Sequence, residues 1–302
     1  MSRVLVLGAG VIGRSYAALL ARSGHEICLV TREESTDPGR HELVVELDGE
    51  RLVAPCTSAP DLASAPPVDL LLIAVRGEQL ETVLEDIAAT SIPLIVCFTN
   101  PLGTRDELIR QVGEERLVLA FSGLGGAIED SVVQVRSVAQ QPTVVDVAAP
   151  LGPVVAELLA GTGIPLRRER RMADWLDTHS VFMAGMSAAV LSAPDGAARV
   201  AGDRPRAIDL VVAMSEGMTA LERHGRRIRP SALRWIFGRV PRPIAARYWQ
   251  RQFAGPTVTA SIAPHAETAR RTEMPAVFAY ARELVGEEAL RYRRLLDGAV
   301  LD

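Results

Sequence analysis

Short aliphatic runs alternate with amphipathic stretches through the first half of the chain. The segments RVLVLG, EICLVT, DLLLIAV and PLIVCFT are nearly continuous apolar runs, typical of strands buried on both faces. The stretches VIGRSYAALLARSG and EQLETVLEDIAAT have the spacing of amphipathic helices, and Gly24 ends the first of them. This alternation predicts an α/β fold with a doubly wound parallel sheet of the Rossmann type.

The pattern changes after the strand-like PTVVDV, a predicted helix at about 151–161, and IPLRRERR, which we interpret as the last strand. From Met172 onward the sequence predicts long helices over 172–192, 206–224 and 265–285. Stretches rich in Gly and Pro interrupt them at 192–206 and 226–243. We therefore expect a Rossmann domain over 1–168 and an all-helical domain over 169–302.

The motif GAGVIG follows the first predicted strand directly and opens the first predicted helix. It places Gly8, Gly10 and Gly13 in the G-x-G-x-x-G spacing, with Val11 and Ile12 at the helix start. In this context the glycines permit a tight turn, close approach of a pyrophosphate and close helix packing, while the helix N-terminus attracts the negative charge. The sequence predicts a dinucleotide site here.

The end of the second predicted strand reads LVTREES, with Arg32 where NAD-binding proteins commonly have an acidic residue. A carboxylate there binds the ribose 2′-hydroxyl, whereas an arginine suits a 2′-phosphate. The prediction is NADP(H) rather than NAD(H), although Glu33 and Glu34 keep the alternative open.

Charge and composition limit the classes of partner that the protein is expected to bind. The net charge is −4, which disfavours nucleic-acid and membrane-surface binding despite the arginine-rich segment 223–251 with its aromatic residues. No apolar run approaches the roughly 20 residues of a membrane span. We therefore expect a cytoplasmic protein with a small-molecule substrate. Three cysteines without ligand spacing predict buried, reduced thiols, and five histidines without a helical ligand pair predict no metal site.

The ordered set VLGAGVIGRSYAALLARSGHEICLVTR, DLLLIAVRGEQ, FTNPLG, the helix around Trp175, PDG and ARRTEM resembles the ketopantoate reductase family over nearly the whole chain. The resemblance implies an N-terminal Rossmann domain and a helical domain for substrate binding and possible homodimerisation. It also implies that NADPH and a small 2-keto acid meet in the cleft between them.

Carried over by position, the resemblance assigns the three glycines and Arg32 to the cofactor. It places Arg76 near the cofactor and the substrate, in place of a family lysine, and Asn100 beside the nicotinamide. Glu273 matches an active-site glutamate and Ser261 a substrate-binding serine. From the residues themselves, Tyr248 is a further candidate for the substrate pocket.

Each assignment has a structural alternative. Arg76 could cap a strand end, Asn100 could shape a turn before Pro101, and Glu273 could pair with Arg270 or Arg271. Ser261 lies in a segment that also reads as irregular structure, and Tyr248 could belong to a solvated helix face or a subunit interface.

The chain departs from the family at its catalytic lysine. That position, two residues after Trp175, is Asp177, and the substrate-binding asparagines that follow are Val181 and Gly185. Every one of the 33 basic residues is arginine, so no other lysine can donate the proton. Asp177, with Glu273 and Asn100, becomes the predicted catalytic set, and His179, Tyr248 and His265 are further proton-donor candidates.

Two hypotheses about function follow. The first is an NADPH-dependent reductase of a carbonyl or imine other than ketopantoate, in which Asp177 and Glu273 form a pair of carboxylates that share a proton or attract a cationic group. The second is a non-redox isomerase or cyclase, or an NADP-binding sensor, on a reductase scaffold. The alternative role for Asp177 is that of a surface residue paired with Arg170 or Arg171.

Overall fold

The computed structural model of the chain describes residues 1–31, 41–130, 132–137, 141–193, 195–255 and 258–301, with backbone only at 260 and 261. The chain forms two compact units, Met1–Met172 and Ala173–Asp302. The first contains the sheet and the second is helical, which confirms the predicted fold class.

The first unit is built on an eleven-stranded mixed sheet in its described residues, ordered β11-β10-β7-β6-β5-β1-β2-β4-β3-β9-β8. The strands are β1 (Arg3–Leu7), β2 (Glu26–Val30), β3 (His41–Leu47), β4 (Glu50–Ala59), β5 (Leu70–Ile73), β6 (Ile95–Cys97), β7 (Leu117–Phe121), β8 (Leu124–Glu129), β9 (Val132–Ser137), β10 (Thr143–Asp146) and β11 (Leu166–Glu169). Its helices are α1 (Val11–Arg22), α2 (Gly77–Ala89), α3 (Arg105–Val112) and α4 (Gly152–Ala160).

The six strands from β4 to β7 through β2, β1, β5 and β6 run parallel. β1 lies between β2 and β5, so the chain leaves β1 on one side and later returns on the other. In open α/β sheets, such a reversal of strand order leaves a crevice at the carboxyl ends of the strands, where ligands bind. The glycine motif lies at this edge.

Two hairpins outside the predicted pattern extend the sheet beyond β2. β3 pairs antiparallel with β4 across Asp48 and Gly49, which both have positive φ, and β9 joins β3 with β8 beyond it. Asp-Gly is a strong signal for a two-residue hairpin turn. Alternating burial in β3 and in the first part of β4 fits strands with one exposed face.

The second unit consists of α5 (Met172–Leu191, whose first residue belongs to the first unit), α6 (Gly196–Gly202), α7 (Arg204–Arg223), α8 (Ser231–Gly238), α9 (Arg242–Ala254), the π-helical turn Val258–Ile262, α10 (Ala263–Thr268), α11 (Met274–Val285) and α12 (Leu290–Asp297). Helix α7 packs against α6, α8, α9, α11 and α12 and is the centre of the unit.

Three predictions in this half were wrong. The predicted interruption 226–243 contains α8. The predicted loop 192–206 contains α6, which follows Asp195. The predicted helix 265–285 is two helices, because Pro275 lacks an amide hydrogen and its ring is tolerated only in the first turn of α11. The long helices predicted over 172–192 and 206–224 are confirmed as α5 and α7.

Among the described residues, no single helix meets the length and hydropathy expected of a membrane span. Helices α5 and α6 meet it only jointly, with a bend of 93° between them. The three cysteines, Cys28, Cys56 and Cys97, are buried free thiols as predicted, and burial raises the pKa of Cys97 to about 12.

Candidate functional site

The turn between β1 and α1 depends on the absence of side chains at Gly8 and Gly13. Gly8 has φ of +108°, and a Cβ there would stand 2.6 Å from the carbonyl carbon of Ala74 after β5. A Cβ at Gly13 would run into the Gly8 carbonyl oxygen. Both positions hold the helix start tightly against the strand ends.

Gly10 has a different environment. A Cβ there would meet no atom within 4 Å, and the residue is exposed. Packing within the protein therefore does not require glycine at this position. A glycine that faces open space beside a helix start is what close approach of a ligand to the backbone requires.

Helix α1 begins at Val11, so the amides of Val11, Ile12 and Gly13 are in its first turn and have no partner within the helix. No acidic side chain lies in that turn. The helix dipole and these amides attract an anion. The turn therefore fits the pyrophosphate of a dinucleotide on its own geometry.

The loops after β5 and β6 lie together beside this turn. The Thr99 hydroxyl donates to the Val75 carbonyl at 2.7 Å. A Cβ at Gly77 would come within 2.9 Å of the Asn100 carbonyl oxygen. The sheet thus brings the segments of Arg76 and Asn100 to the carboxyl edge that carries the glycine turn.

Arg76 precedes α2 as its N-cap residue, and 61% of its side chain is exposed. Its amide donates to Gln79 at 3.2 Å, and its guanidinium lies 3.9 Å from Glu78. An exposed pair at that distance is weak, so the guanidinium can turn toward an anion. The cap and the cofactor contact are therefore compatible.

Asn100 is half-buried at the start of a tight turn in which Leu102 and Gly103 have positive φ. The Thr104 hydroxyl and amide both donate to the Pro101 carbonyl and close the turn. The turn-shaping alternative is thus part of the observed structure, and the predicted contact of Asn100 with nicotinamide stays a prediction.

The predicted ribose contact lies at the end of β2, where the Thr31 amide donates to the Ala59 carbonyl of β4 at 3.1 Å. Arg32 itself lies outside the described residues. Its assignment to a 2′-phosphate remains a prediction.

Asp177 lies on α5 and its side chain is fully buried. The Arg226 Nε lies 3.0 Å from Asp177 Oδ2, and the Tyr280 hydroxyl donates to Oδ1 at 2.9 Å. The alternative of a surface residue is therefore wrong. Asp177 is a buried carboxylate held by groups from two other parts of the second unit.

His179 is stacked on Trp175, with ring centroids 4.9 Å apart and an interplanar angle of 8°. Burial, with a smaller contribution from the nearby His265, lowers the pKa of His179 to about 3. His179 is therefore neutral near pH 7 and is a poor source of a proton there.

Glu273 precedes α11, and its Oε2 lies 3.5 Å from Nε2 of His265. The alternative pairing of Glu273 with Arg270 is not observed, because Arg270 forms an ion pair with Glu267. His265 and Glu273 are 49% and 27% exposed, so both side chains are open to solvent. Among the ion pairs that the structure describes, the two carboxylates expected together have different partners, Arg226 for Asp177 and His265 for Glu273.

The other predicted substrate residues are less informative. The Ser261 backbone lies in the π-helical turn, and its side chain is not described. Tyr248 is 43% exposed and packs edge-on against Trp249, which is buried and stacked on Phe237. Tyr248 is therefore a surface residue, and Trp249 has a core position.

Val181 and Gly185, at the positions matched to the family's asparagines, both contact Tyr292. The Tyr292 hydroxyl donates to the Val181 carbonyl at 2.6 Å. A Cβ at Gly185 would strike the Met214 side chain and come within 3.2 Å of the Tyr292 ring. An aromatic ring from α12 thus occupies the space beside α5.

Sequence reasoning missed Arg226 and Tyr280, which hold Asp177. The available signal was the position of Asp177 in an apolar helix, because a buried carboxylate needs a cation and hydrogen-bond donors. Nothing in the spacing identified which arginine supplies that cation.

A groove of about 650 Å³ lies elsewhere in the first unit. Its lining includes Asp61, Pro67, Asp86 and Ile92, at the amino ends of β5 and β6. Ligands of open α/β sheets bind at the opposite edge, so this groove is not the candidate dinucleotide site. Within the described residues, no three His, Cys, Asp or Glu side chains are grouped to hold a metal ion.

Residues 4–149 match the family model described as ketopantoate reductase PanE/ApbA. The chain carries a ketopantoate reductase-family domain. The match covers the glycine turn and the loops of Arg76 and Asn100. The recognition made from the sequence motifs is confirmed, while the consequence of the missing lysine is not tested by the match.

Curated relatives of the chain are dehydrogenases or reductases. A glycerol-3-phosphate dehydrogenase [NAD(P)+] from a Bradyrhizobium species is 28% identical over 74% of this chain and 68% of its own length. A 2-dehydropantoate 2-reductase from Lactococcus lactis is 25% identical over 39% of each chain.

Solved structures extend the likeness of fold to the whole chain. A 2-dehydropantoate 2-reductase from Geobacter metallireducens aligns with a TM-score of 0.74 at 18% identity, over 98% of both chains. A D-mandelate dehydrogenase, solved with NADH and anilino(oxo)acetate, aligns with a TM-score of 0.71 at 15% identity over 98% of this chain and 95% of that one. At these identities the comparison shows the fold alone.

Proposed function

We propose that this protein is an NADPH-dependent reductase of a small carbonyl compound or imine other than ketopantoate. The observation that carries the proposal is the glycine turn, where Gly10 leaves open space beside three first-turn amides of α1. Such a turn at the switch point of a parallel sheet is built for a dinucleotide. The family's oxidoreductase chemistry agrees with it.

The first unit would hold the cofactor. The backbone at Gly8, Gly10 and Gly13 and the amides of Val11 and Ile12 would face the pyrophosphate, and Arg32 would bind the 2′-phosphate. Arg76 and Asn100, on loops that the sheet brings to the same edge, would orient the nicotinamide end and the substrate. Bound NADPH supplies the hydride for such a reduction, while the protein positions it and manages the proton.

The second unit would supply the substrate contacts and the proton. We propose Glu273 as a catalytic group, since it is partly open to solvent and paired with His265. Ser261 and Tyr248 remain proposed substrate contacts. An imine substrate that is already cationic would need no further proton, which suits a chain without lysine.

Asp177 is proposed to act at the site through Arg226. Its side chain has no exposure, whereas 38% of Arg226 is exposed. The carboxylate therefore fixes a guanidinium whose outer edge reaches solvent, and that cation can attract an acidic substrate. The alternative is a direct catalytic role of Asp177, which lost turnover with unchanged stability in Asp177→Ala would select.

Ketopantoate is disfavoured as the substrate. The family lysine is replaced by an aspartate, and the positions of two substrate-binding asparagines are Val181 and Gly185, which pack against Tyr292. A site that loses hydrogen-bonding groups rejects a substrate that needs them.

The test is NADPH oxidation, followed by absorbance, with ketopantoate and a panel of other 2-keto acids, aldehydes, enones and imines. We expect turnover of a compound other than ketopantoate, and a Glu273→Gln variant that binds NADPH as before but turns over at least about tenfold more slowly. Rapid turnover of ketopantoate by the unmodified protein would refute the argument from the missing lysine.

The second candidate is a non-redox isomerase or cyclase, or an NADP-binding sensor. It is favoured by the buried pairing of Asp177 with Arg226 at the position of the family's proton donor. Stoichiometric NADPH binding in calorimetry with no oxidation across the panel would select it over the reductase.

Cytoplasmic location and homodimerisation are further parts of the proposal. A ketopantoate reductase from Staphylococcus aureus with the same fold is described as dimeric. Light scattering on the purified protein tests the dimer directly, since a monomer has a mass of 32.5 kDa.

A further inference from the structure

His265 lies in α10 and Glu273 directly before α11, and their side chains meet across the turn between these two helices. The Nε2 atom of His265 lies 3.5 Å from Oε2 of Glu273. The Ala269 amide donates to the His265 carbonyl at 2.8 Å, and the Glu273 amide donates to the Ala269 carbonyl at 3.0 Å. These backbone hydrogen bonds bring the carboxylate back beside the imidazole.

Only one ring nitrogen of His265 is directed at this carboxylate. Among the residues that the structure describes, none forms a hydrogen bond with Nδ1, and 49% of the side chain is exposed. A carboxylate beside Nε2 favours a proton on that nitrogen, so Nδ1 is the nitrogen that gains and loses a proton. His265 therefore combines a proton-transfer position that is open to solvent with a carboxylate that orients the ring, which is the arrangement of a general acid.

A second histidine–glutamate pair in the same unit lacks the open position. The Nε2 atom of His224 lies 3.0 Å from Oε1 of Glu288, and both side chains are 42% exposed. The Nδ1 atom of His224 donates to the Leu284 carbonyl at 2.9 Å. Both ring nitrogens of His224 thus contact the protein, and this pair joins the end of α7 to α11 as a structural contact.

The other proton-donor candidates are less suited than His265. Asp177 is fully buried and ion-paired with Arg226. His179 is buried, and this burial lowers its pKa to about 3, so its ring carries no extra proton near pH 7. Tyr248 is 43% exposed, and no described group forms a hydrogen bond with its hydroxyl, so nothing orients that donor.

The charged and titratable groups near His265 come from three elements. Glu273 faces the ring from the start of α11, and His179, on α5, is neutral near pH 7. On α10 itself, Glu267 is already ion-paired with Arg270. Glu273 is therefore the carboxylate that acts most directly on the His265 ring.

We propose that His265 is the proton donor of the reduction and that Glu273 is its positioning residue, in a chain that has no lysine. As the carbonyl carbon accepts the hydride that bound NADPH supplies, the carbonyl oxygen takes the proton from Nδ1 of His265. The carbonyl compound is reduced to an alcohol, NADP⁺ remains, and the imidazole is left neutral with its Nε2–H facing Glu273. Solvent then returns a proton to Nδ1. The inference rests on the proposed reductase function and assigns its proton to one residue.

The first test is the pH dependence of kcat with the carbonyl compound that the protein reduces fastest. We expect His265→Gln to lower kcat at least about a hundredfold at nearly unchanged KM, since general acid catalysis contributes about 10²- to 10⁴-fold. In the unmodified protein kcat should fall as the pH rises through the range in which histidines lose their charge, about pH 5–8, and His265→Gln should remove that fall. The matched control His224→Gln should leave kcat and its pH dependence unchanged.

Glu273→Gln separates positioning from proton donation. This variant keeps the donor, so kcat should fall at least about tenfold but less than in His265→Gln. An amide does not stabilise an imidazolium as a carboxylate does, so the fall of kcat should move to lower pH. A merely structural role of Glu273 would lower kcat without moving its pH profile.

The second test needs neither substrate nor NADPH. Long-range ¹H–¹⁵N NMR spectra of the free protein report which ring nitrogen of each histidine is protonated and how each ring titrates, and the His265→Gln and His224→Gln variants assign the signals. We expect the neutral His265 ring to carry its proton on Nε2, and its titration to move to lower pH in Glu273→Gln. A neutral ring protonated at Nδ1, or a titration that is the same in Glu273→Gln, overturns the role of Glu273.

A smaller loss of kcat in His265→Gln, or a pH dependence that persists in that variant, overturns the proposal. Reduction of imines alone also overturns it, because no carbonyl oxygen then needs a proton. Failure to reduce any compound of the panel is a different result, since it refutes the proposed function itself. The NMR experiment still decides in that case whether Glu273 acts on His265.

Discussion

Separate and combined replacement of Asp177 and Arg226 measures how much the buried pair stabilises the second unit. Asp177 is fully buried and Arg226 is 38% exposed, with 3.0 Å between the charged atoms. Loss of one partner of a buried pair costs about 3–5 kcal/mol. Since Arg226 is partly hydrated, we discount this to about 2–3 kcal/mol for Arg226→Met.

Asp177→Ala removes two contacts at once. Arg226 can then hydrate, but the Tyr280 hydroxyl, in a side chain only 8% exposed, loses a charged acceptor. A hydrogen bond to a charged group contributes about 1.5–3 kcal/mol, so we expect a loss of about 2–4 kcal/mol. In Asp177→Ala, Arg226 no longer has a buried carboxylate to pair with and contributes little to the unfolding free energy. The double variant should therefore have nearly the same unfolding free energy as Asp177→Ala.

The assay is urea unfolding at neutral pH, followed by tryptophan fluorescence. All three tryptophans, Trp175, Trp235 and Trp249, lie in the second unit, so the signal reports this unit specifically. The cycle should give a coupling energy of about 2–3 kcal/mol, equal to the loss expected for Arg226→Met. Additive losses, with a coupling below about 0.3 kcal/mol, would refute the reasoning. Unchanged stability together with lost turnover in Asp177→Ala would assign the residue to catalysis.

Three further predictions test the glycine turn, His179 and the packing beside α5. Gly13→Ala should destabilise the protein by about 1–3 kcal/mol, because its Cβ meets the Gly8 carbonyl oxygen. Gly10→Ala should keep the melting temperature and weaken NADPH binding at least about tenfold. A destabilised Gly10→Ala together with a stable Gly13→Ala would contradict the proposed site. Because burial lowers the pKa of His179 to about 3, the unfolded state binds a proton that the folded state does not, so the unfolding free energy should fall by up to about 1.4 kcal/mol per pH unit below about pH 6.5. In His179→Phe, which keeps an aromatic ring for stacking, urea midpoints at two pH values should show a shallower slope; an equal slope rejects the assignment. Gly185→Asn should lower the unfolding free energy by about 1–3 kcal/mol, because the new side chain clashes with Met214. An unchanged free energy in the same urea assay would mean that the space beside Gly185 can hold a larger side chain.

The sequence predicted the parallel sheet and the glycine turn because their signals are local. An apolar run such as Leu70–Ile73, buried at every residue, and a glycine motif between strand and helix constrain the backbone within a few positions. The family motifs in the same half identified the domain for the same reason. The β3–β4 hairpin carried an equally local signal in Asp48-Gly49 and could have been predicted.

The second unit was harder to predict because its decisive contacts join distant residues. Asp177 is bound by Arg226 and by Tyr280, whose hydrogen bond spans 103 positions in the chain. Helical spacing shows which residues share a face, yet does not identify what packs on it. The arginine that neutralises Asp177 was one of 33, and the choice depends on tertiary packing.

Tyr292 limits which substitutions the helical unit can accept. Its ring lies between Gly185 and Gly217, where a Cβ at Gly217 would come within 2.8 Å, and its hydroxyl is bonded to the Val181 carbonyl. An asparagine at 185 alone would collide with the Met214 side chain and with the Tyr292 ring. Room for it would require coordinated changes on α5, α7 and α12, because one aromatic ring fills the space that these three helices share. A variant that introduces a polar side chain on this face of α5 therefore needs a smaller residue at 292 in the same step.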